Sequence, residues 1–433
     1  MEIFATNFVM CRLNRVSRAI LVLAAACLLT WAVNATRVLA QHPHHRFLPR
    51  EHLSVPATCG AGADIVPARM PDPAPPNPYR TYRTSQGILV HLYRLPREST
   101  DALAVNGNTL IWSSVQGSRQ YPELYEADLR AFHPRILAQG TACNVFPSVH
   151  LSPNWIVWVS PTAQSQTVWA LDRRTGRRYR VASQPFAAPC AGLACMPPFE
   201  VGLSGNDLVW PTALPEARGM VRSSLLMRTL PNGSVHAVFS TDEQCAVQSS
   251  PQLAGGVLVW QRFRWTWKLV PGFTGRGQGY CDSARTDVLA MNLRTRRVII
   301  VNQKPGTSRP STNGRYVSWE QGQCFLDCYA GTLFKLDLWT GLRTQVDGPM
   351  VKAQRMAGSM LVWHREGGHG ITIEAQDLQT GRRYVLAHEP YGEGAPILDL
   401  PGWGWGRRVI WAEREFLPRG IVGYMAVADI PPS

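Results

Sequence analysis

The chain has 433 residues, 45% of them hydrophobic and only 17% charged, which excludes disorder as its main state and allows one large or two ordinary globular domains. With 36 Gly, 33 Pro and 15 Trp it suits many short strands broken by turns, and it argues against a helical bundle. The formal charge is +14, but 40 of the 44 basic residues are Arg, a skew that G+C-rich coding also produces, so basicity alone is weak support for an anionic partner.

Arg12, Arg15 and Arg18 precede an uncharged run from Ala19 to Val33, and small residues follow up to Ala40. This layout predicts a signal peptide over residues 1–40 and an exported mature chain. A spanning helix needs about 20 apolar residues, so a retained anchor is the alternative and would be the only membrane attachment. Cys27 lies inside the apolar run, which continues through Leu28 and Leu29, and this disfavours a lipid anchor there. Removing residues 1–40 takes away four Arg and one Glu and leaves a charge of +11.

Residues 41–86 are rich in Pro and His and lack apolar periodicity, which predicts an extended linker or arm. His42, His44 and His45 stand in that arm without the Cys or carboxylate spacing of a metal site, so no metal or other cofactor is expected.

From Gly87 onward a unit of about fifty residues recurs seven times. Each contains a short strand ending in a marker tryptophan: Trp112, Trp158, Trp210, Trp260, Trp319, Trp363 and Trp411. A Gly/Asn turn precedes most of them, as at Asn106-Gly107-Asn108 and Asn313-Gly314. A further strand then closes on an acidic residue and a Thr-Gly turn, as in Asp172 to Gly176, Asp337 to Gly341 and Asp377 to Gly381. Four short strands per unit cannot bury both faces alone, whereas radial stacking buries them. The fold class predicted over residues 87–433 is therefore all-β, a β-propeller of seven four-stranded blades, or six or eight if one unit is misjudged. The marker tryptophans are packing residues in this reading. The last unit supplies no outer strand of its own, and Gly87 to Arg94 is a strand without a unit, so the N-terminal strand is expected to complete the last blade.

The Gly/Asn turn, the apolar pair ending in an aromatic and the stretch Asp377 to Arg383, partly copied at Asp172 to Arg178, resemble the repeats of TolB-type β-propellers. The resemblance is at the level of the repeat and covers the chain from Gly87 on. It implies the ring. The 46 residues 41–86 are too short and too Pro-rich for the N-terminal α/β domain that TolB carries. Prolyl oligopeptidase-type peptidases have similar propellers, but no Gly-x-Ser-x-Gly nucleophile elbow is present here.

Outside the signal peptide stand Cys59, Cys143, Cys190, Cys195, Cys245, Cys281, Cys324 and Cys328, an even set that predicts disulfides in an exported chain. All but Cys59 fall in segments that a four-strand meander places on one face of the ring. Pairs 190 with 195, 324 with 328, 245 with 281 and 59 with 143 are preferred among the many pairings eight cysteines allow. The same face receives the long insertion of the fourth unit, where Arg264, Trp265, Trp267, Arg276 and Tyr280 interleave aromatic planes with cations, a pattern that stacks on sugars and pairs with carboxylates. The bland alternative is a loop whose tryptophans fold back on the rim. For catalysis the weak candidates are His364, Glu366 and His369, with Glu320 and Glu413 at comparable points of neighbouring units.

The hairpin turns gather Arg173, Arg174, Arg177, Arg178, Arg294, Arg296, Arg297, Arg382 and Arg383 on the opposite face, where docking on anionic lipid or polymer is one reading and solvated turns that protect the outer edge strands are the simpler one. The expectation is a secreted, periplasmic or envelope-bound monomer that binds a protein, peptide or glycan and not nucleic acid. A propeller hydrolase or lyase acting on polysaccharide through the Cys-rich face is the alternative.

Overall fold

A computed structural model of the chain describes residues 78–95, 100–114, 122–140, 146, 148–161, 165–185, 200–215, 221–241, 246–269, 279–304, 306–322, 331–367, 370–389, 397–401, 404–417 and 420–432. The described residues form strands and turns with no helix.

The first strands are β1 (Arg80–Arg83) and β2 (Leu89–Arg94). Unit one follows as β3 (Thr100–Asn106), β4 (Thr109–Ser114), β5 (Glu123–Asp128) and β6 (Arg135–Gln139), and unit two as β7 (Val149–Leu151), β8 (Trp155–Pro161), β9 (Ser165–Asp172) and β10 (Arg178–Pro185). Unit three has β11 (Gly202–Ser204), β12 (Asp207–Pro215), β13 (Val221–Thr229) and β14 (His236–Thr241). Unit four has β15 (Ala246–Ala254), β16 (Val257–Leu269), β17 (Gly279–Asn292) and β18 (Val298–Asn302). Unit five has β19 (Thr307–Thr312), β20 (Tyr316–Gly322), β21 (Gly331–Asp337) and the long β22 (Arg343–Ala357). Unit six has β23 (Met360–Gly367), β24 (Gly370–Asp377) and β25 (Arg383–Glu389), and unit seven β26 (Ile397–Pro401), β27 (Arg408–Leu417) and β28 (Gly420–Asp429).

All pairing is antiparallel between sequence neighbours, with two departures that matter. β22 is shared: its first half is the outer strand of unit five, and its second half, from Val351, is the inner strand of unit six. β2 pairs with β28, with Val90 opposite Ala428 and Leu92 opposite Ala426, so the N-terminal strand supplies the outer strand of unit seven. This is the closure expected from the sequence. β1 then adds a fifth strand outside β2, although the Pro-rich composition of residues 41–86 gave no sign of a strand at Arg80–Arg83. Gln86 fastens the junction to unit six, donating to the Arg383 carbonyl (3.2 Å) and accepting from the Val385 N–H (2.9 Å).

The core lies between sheets. One apolar cluster joins unit one to unit two through Ile111, Leu124, Ile156 and Trp158, and another joins unit four to unit five through Val259, Ala290, Val317 and Trp319. Corresponding clusters link the other neighbours, and the series returns on itself where Ile410, Ala412 and Met425 of unit seven pack on Leu110, Trp112 and Tyr125 of unit one. A chain of sheets whose last packs on its first is a β-propeller. The seven marker tryptophans stand on the second strand of their units and are buried in these layers, none more than 3% exposed.

The recurrent acidic turn has a local cause. In the β9–β10 turn Asp172 Oδ1 accepts the N–H groups of Arg174 (2.8 Å) and Thr175 (3.2 Å), and Gly176 closes the turn at φ +72° with its N–H on the Asp172 carbonyl. Asn292 and Asp377 make the same pair of bonds in the β17–β18 and β24–β25 turns. A short side-chain acceptor that folds back on its own backbone is what makes Asp or Asn recur at the start of each turn.

Candidate functional site

The inner strands position a polar set that the marker tryptophans locate by counting backwards. Ten residues before the tryptophan stand Ser148, Glu200, Ser250, Arg309 and Ala353 in units two to six; eight before it stand His150, Gly202, Gln252, Ser311 and Arg355. The ladder is broken at this point in units four, five and six, where pairing shifts around Ser250, Arg309 and Ala353. Those three residues adopt left-handed φ of 48°, 51° and 42°, the bulge re-aiming the inner edge.

The set interacts across units. His150 is 7% exposed, with Nε2 3.1 Å from Ser148 Oγ, and its imidazole is pushed down to about 3 by burial and then by the Arg355 guanidinium. Arg355, four units further on, is itself lowered by burial and feels Glu200, Arg309 and Glu320. Side chains from units two, three, five and six therefore share one electrostatic neighbourhood, the inner lining of the ring.

Glu320 and His364 each follow a marker tryptophan directly and are buried, at 6% and 5%. Glu320 accepts the Gln354 N–H (2.8 Å) and lies 3.8 Å from Arg309 Nη1; burial raises its carboxyl pKa, opposed by Arg309. His364 lies opposite Lys352 in the β22–β23 ladder, and Lys352 forms an ion pair with Glu366. Neither ring nitrogen of His364 has a hydrogen-bond partner. Burial, then the Lys352 and Arg309 charges, lower its pKa to about 4, so the ring is neutral at pH 7. Glu320, His364 and Glu366 are thus linked through Arg309 and Lys352.

Glu413 does not join them. Lying two residues after Trp411, it returns to the tryptophan's own side of the strand, accepts the Trp411 indole N–H (2.8 Å) and meets the Tyr82 hydroxyl (3.5 Å). Tyr82 belongs to β1, at the outer border of the sheet, and its hydroxyl also reaches the Leu386 carbonyl (3.4 Å). His369 lies outside the described residues.

The fourth-unit insertion, expected as a loop, is a β-hairpin. β16 and β17 remain paired far past the marker tryptophan, with Thr266 opposite Asp282, Trp267 opposite Cys281 and Lys268 opposite Tyr280. The alternation of bulky and polar residues in Arg262 to Lys268 is a strand pattern, which the length of the insertion masks. Trp265 falls at the register shift between Arg264 and Thr266. At the hairpin's base Asp287, fully buried, receives Arg262 (2.8 Å), Arg264 (2.6 Å) and Arg285 (3.6 Å), so Arg264 is held by a carboxylate of its own sheet. The side chains of Trp265, Trp267 and Tyr280 lie outside the described residues, as does Arg276. Cys59, Cys143, Cys190, Cys195, Cys245, Cys324 and Cys328 lie outside them too, and Cys281 is described as backbone only.

Sequence reasoning missed His150, Glu200, Arg309, Lys352 and Arg355. For His150, Glu200, Arg309 and Arg355 the available signal was a place eight or ten residues before a marker tryptophan, which needs the repeat to be aligned from the tryptophan backwards. Among the described residues no three His, Cys, Asp or Glu side chains group as metal ligands, and no helix is long and apolar enough to cross a membrane.

No protein-family model matches the chain. No curated protein matches it in sequence. Solved structures do match. A prolyl endopeptidase is 12% identical over 74% of this chain with a TM-score of 0.52, and this chain spans 45% of its length. The β-propeller domain of the trilobed protease from Pyrococcus furiosus is 8% identical over 76% of this chain and 95% of its own, with a TM-score of 0.51. TolB from Acinetobacter baumannii is 11% identical over 73% of this chain and 80% of its own, with a TM-score of 0.35. At such identities the likeness is one of fold. The chain has the fold of a β-propeller.

Proposed function

We propose that this chain is an exported β-propeller serving as a binding or interaction module at the cell envelope, with a protein, peptide or glycan as partner. The observation that carries the reading is the β16–β17 hairpin. Past its marker tryptophan β16 runs nine residues, to Leu269, where β27 runs six, to Leu417, and no other marker strand runs more than five among the described residues. At about 3.3 Å per residue the described part of β16 past Trp260 spans roughly 30 Å. A projecting two-stranded arm that carries Trp265, Trp267 and Lys268 is a recognition device. Export rests on the charged and apolar pattern of residues 1–40, and the cysteine pairings belong to the same reading.

A second reading is favoured by one observation. His364 is buried, neutral at pH 7 and without a hydrogen-bond partner beside the Lys352–Glu366 pair, a combination suited to accepting a proton in a polysaccharide hydrolase or lyase.

A panel of acidic glycans, neutral glycans and peptides, read by thermal shift and by product release, separates the two. Binding without turnover, lost in the double variant Trp265→Ala/Trp267→Ala at unchanged melting temperature of the free protein, is the expected result. Retention of binding by that variant overturns the role of the hairpin, and turnover that disappears in Glu366→Gln or His364→Ala establishes the enzyme.

A further inference from the structure

We infer that the opposite face, which carries the tight turns, docks on an anionic lipid surface, with Trp339 and Leu342 entering the interface and flanking arginines meeting the headgroups. The inference is independent of the hairpin and of the partner it binds.

In an antiparallel meander the turns joining first to second and third to fourth strands lie at the same end of the sheet, so these turns share one face of the ring. Three of the third-to-fourth turns, β9–β10, β17–β18 and β24–β25, follow one polar pattern. Their third place holds Arg174, Arg294 or Gln379, and their sixth Arg177, Arg297 or Arg382. The β21–β22 turn breaks the pattern at both places, with Trp339 and Leu342, which are 76% and 65% exposed. The backbone does not demand the change. The Trp339 N–H is held by Asp337 Oδ1 (2.9 Å), the Gly341 N–H by the Asp337 carbonyl (2.8 Å) and the Leu342 N–H by Thr340 Oγ1 (3.2 Å), as in the polar copies. Two large apolar side chains thus stand in water where the fold accepts arginine.

Charge points to the occupant. Unit five lies between units four and six, whose turns bring Arg294, Arg297 and Arg382, all exposed and without a carboxylate partner among the described residues. The nearby carboxylates are already used: Asp337 pairs with Arg315 (2.7 Å), which also covers the Trp339 ring at 4.5 Å, and Asp377 pairs with Arg407. Trp405, in the turn before β27 on the same face, is half exposed. A tryptophan and a leucine on a turn between two units whose own turns carry unpaired arginines fit the boundary between headgroups and acyl chains of an anionic bilayer. Shape excludes a bound chain as the better fit, because the two residues crown the tip of a turn instead of lining a groove. The cavity of about 350 Å³ on this face lies elsewhere, between units one and two, lined by Glu126, Asn154 and Arg173.

The test uses the full chain and its variants in parallel, so that the N-terminal apolar segment contributes equally to all. Vesicles of phosphatidylglycerol and of phosphatidylcholine are the probes, with soluble polyglutamate as the acidic-chain control. Hydrogen exchange in residues 338–343 should slow on phosphatidylglycerol and not on phosphatidylcholine or polyglutamate. Trp339→Arg/Leu342→Arg, which restores the residues of the other turns and adds charge, should abolish that protection and lower partitioning roughly tenfold in 0.5 M salt. Arg294→Gln/Arg297→Gln should weaken partitioning at low salt. No protection on phosphatidylglycerol, stronger partitioning of the Arg variant, or equal protection by polyglutamate each overturns the proposal.

Discussion

Residues one position apart meet different fates because a strand alternates its faces. Glu320 and His364 directly follow their tryptophans and share the neighbourhood of Arg309 and Lys352, while Glu413, one place later, is spent on an indole N–H. His364 makes a measurable prediction. Its folded pKa of about 4 lies below the ordinary histidine value, so between pH 7 and 4 the unfolded chain takes up a proton that the folded chain refuses. Its share of the stability is present near neutral pH and is lost as the pH falls towards 4, a loss of about 3 kcal/mol at most. His150, pushed down to about 3, acts with the same sign. Urea unfolding at pH 7 and pH 4.5 should show His364→Gln losing less stability on acidification than the parent chain; an unchanged loss contradicts the assignment. The axial residues were hidden in the sequence because Ser148, Glu200, Arg309 and Ala353 share a place in the unit but no chemistry. Repeat position and electrostatic partnership become visible together only when the sheets are packed.

The elements were the most legible level. The marker tryptophans, the Asp-x-x-Thr-Gly turns and the outer strand supplied by Leu89–Arg94 follow from apolar periodicity and turn chemistry, both local properties. The fourth-unit hairpin is hard to read from the sequence because it continues far past the usual length of its strands, and β1 is hidden because its four residues gain their pairing only from β2. Arg296 shows how strongly the turn dictates conformation. It occupies φ +59° at the place where Gly176, Gly341 and Gly381 take φ of 72°, 73° and 75° in the sister turns. A side chain in the left-handed region costs on the order of 1 kcal/mol. Arg296→Gly should therefore raise the melting temperature by a few degrees or less, its weak 3.4 Å bond to the Val238 carbonyl being a small loss. A fall in the melting temperature by differential scanning calorimetry contradicts this.

At the scale of the whole molecule the two faces of the ring differ in build. The tight turns are short, repetitive and arginine-rich, and one of them carries the exposed Trp339 and Leu342. The other face receives the extended strands of the β16–β17 hairpin. Closure by β2 on β28 joins the start of the ring to its end, so both faces are held by a continuous series of packed sheets. The ring was legible because one buried tryptophan per unit repeats, whereas a binding surface does not repeat and leaves no periodic trace. The most direct measurement is hydrogen exchange on the whole chain with pooled acidic glycans, neutral glycans and peptides, with the pool analysed for cleavage in the same sample. Slowed exchange in residues 262–269 and 279–285 with the pool intact is the expected result. Protection centred on residues 364–367 together with cleaved glycan, or no protection of the hairpin by any pool, contradicts it.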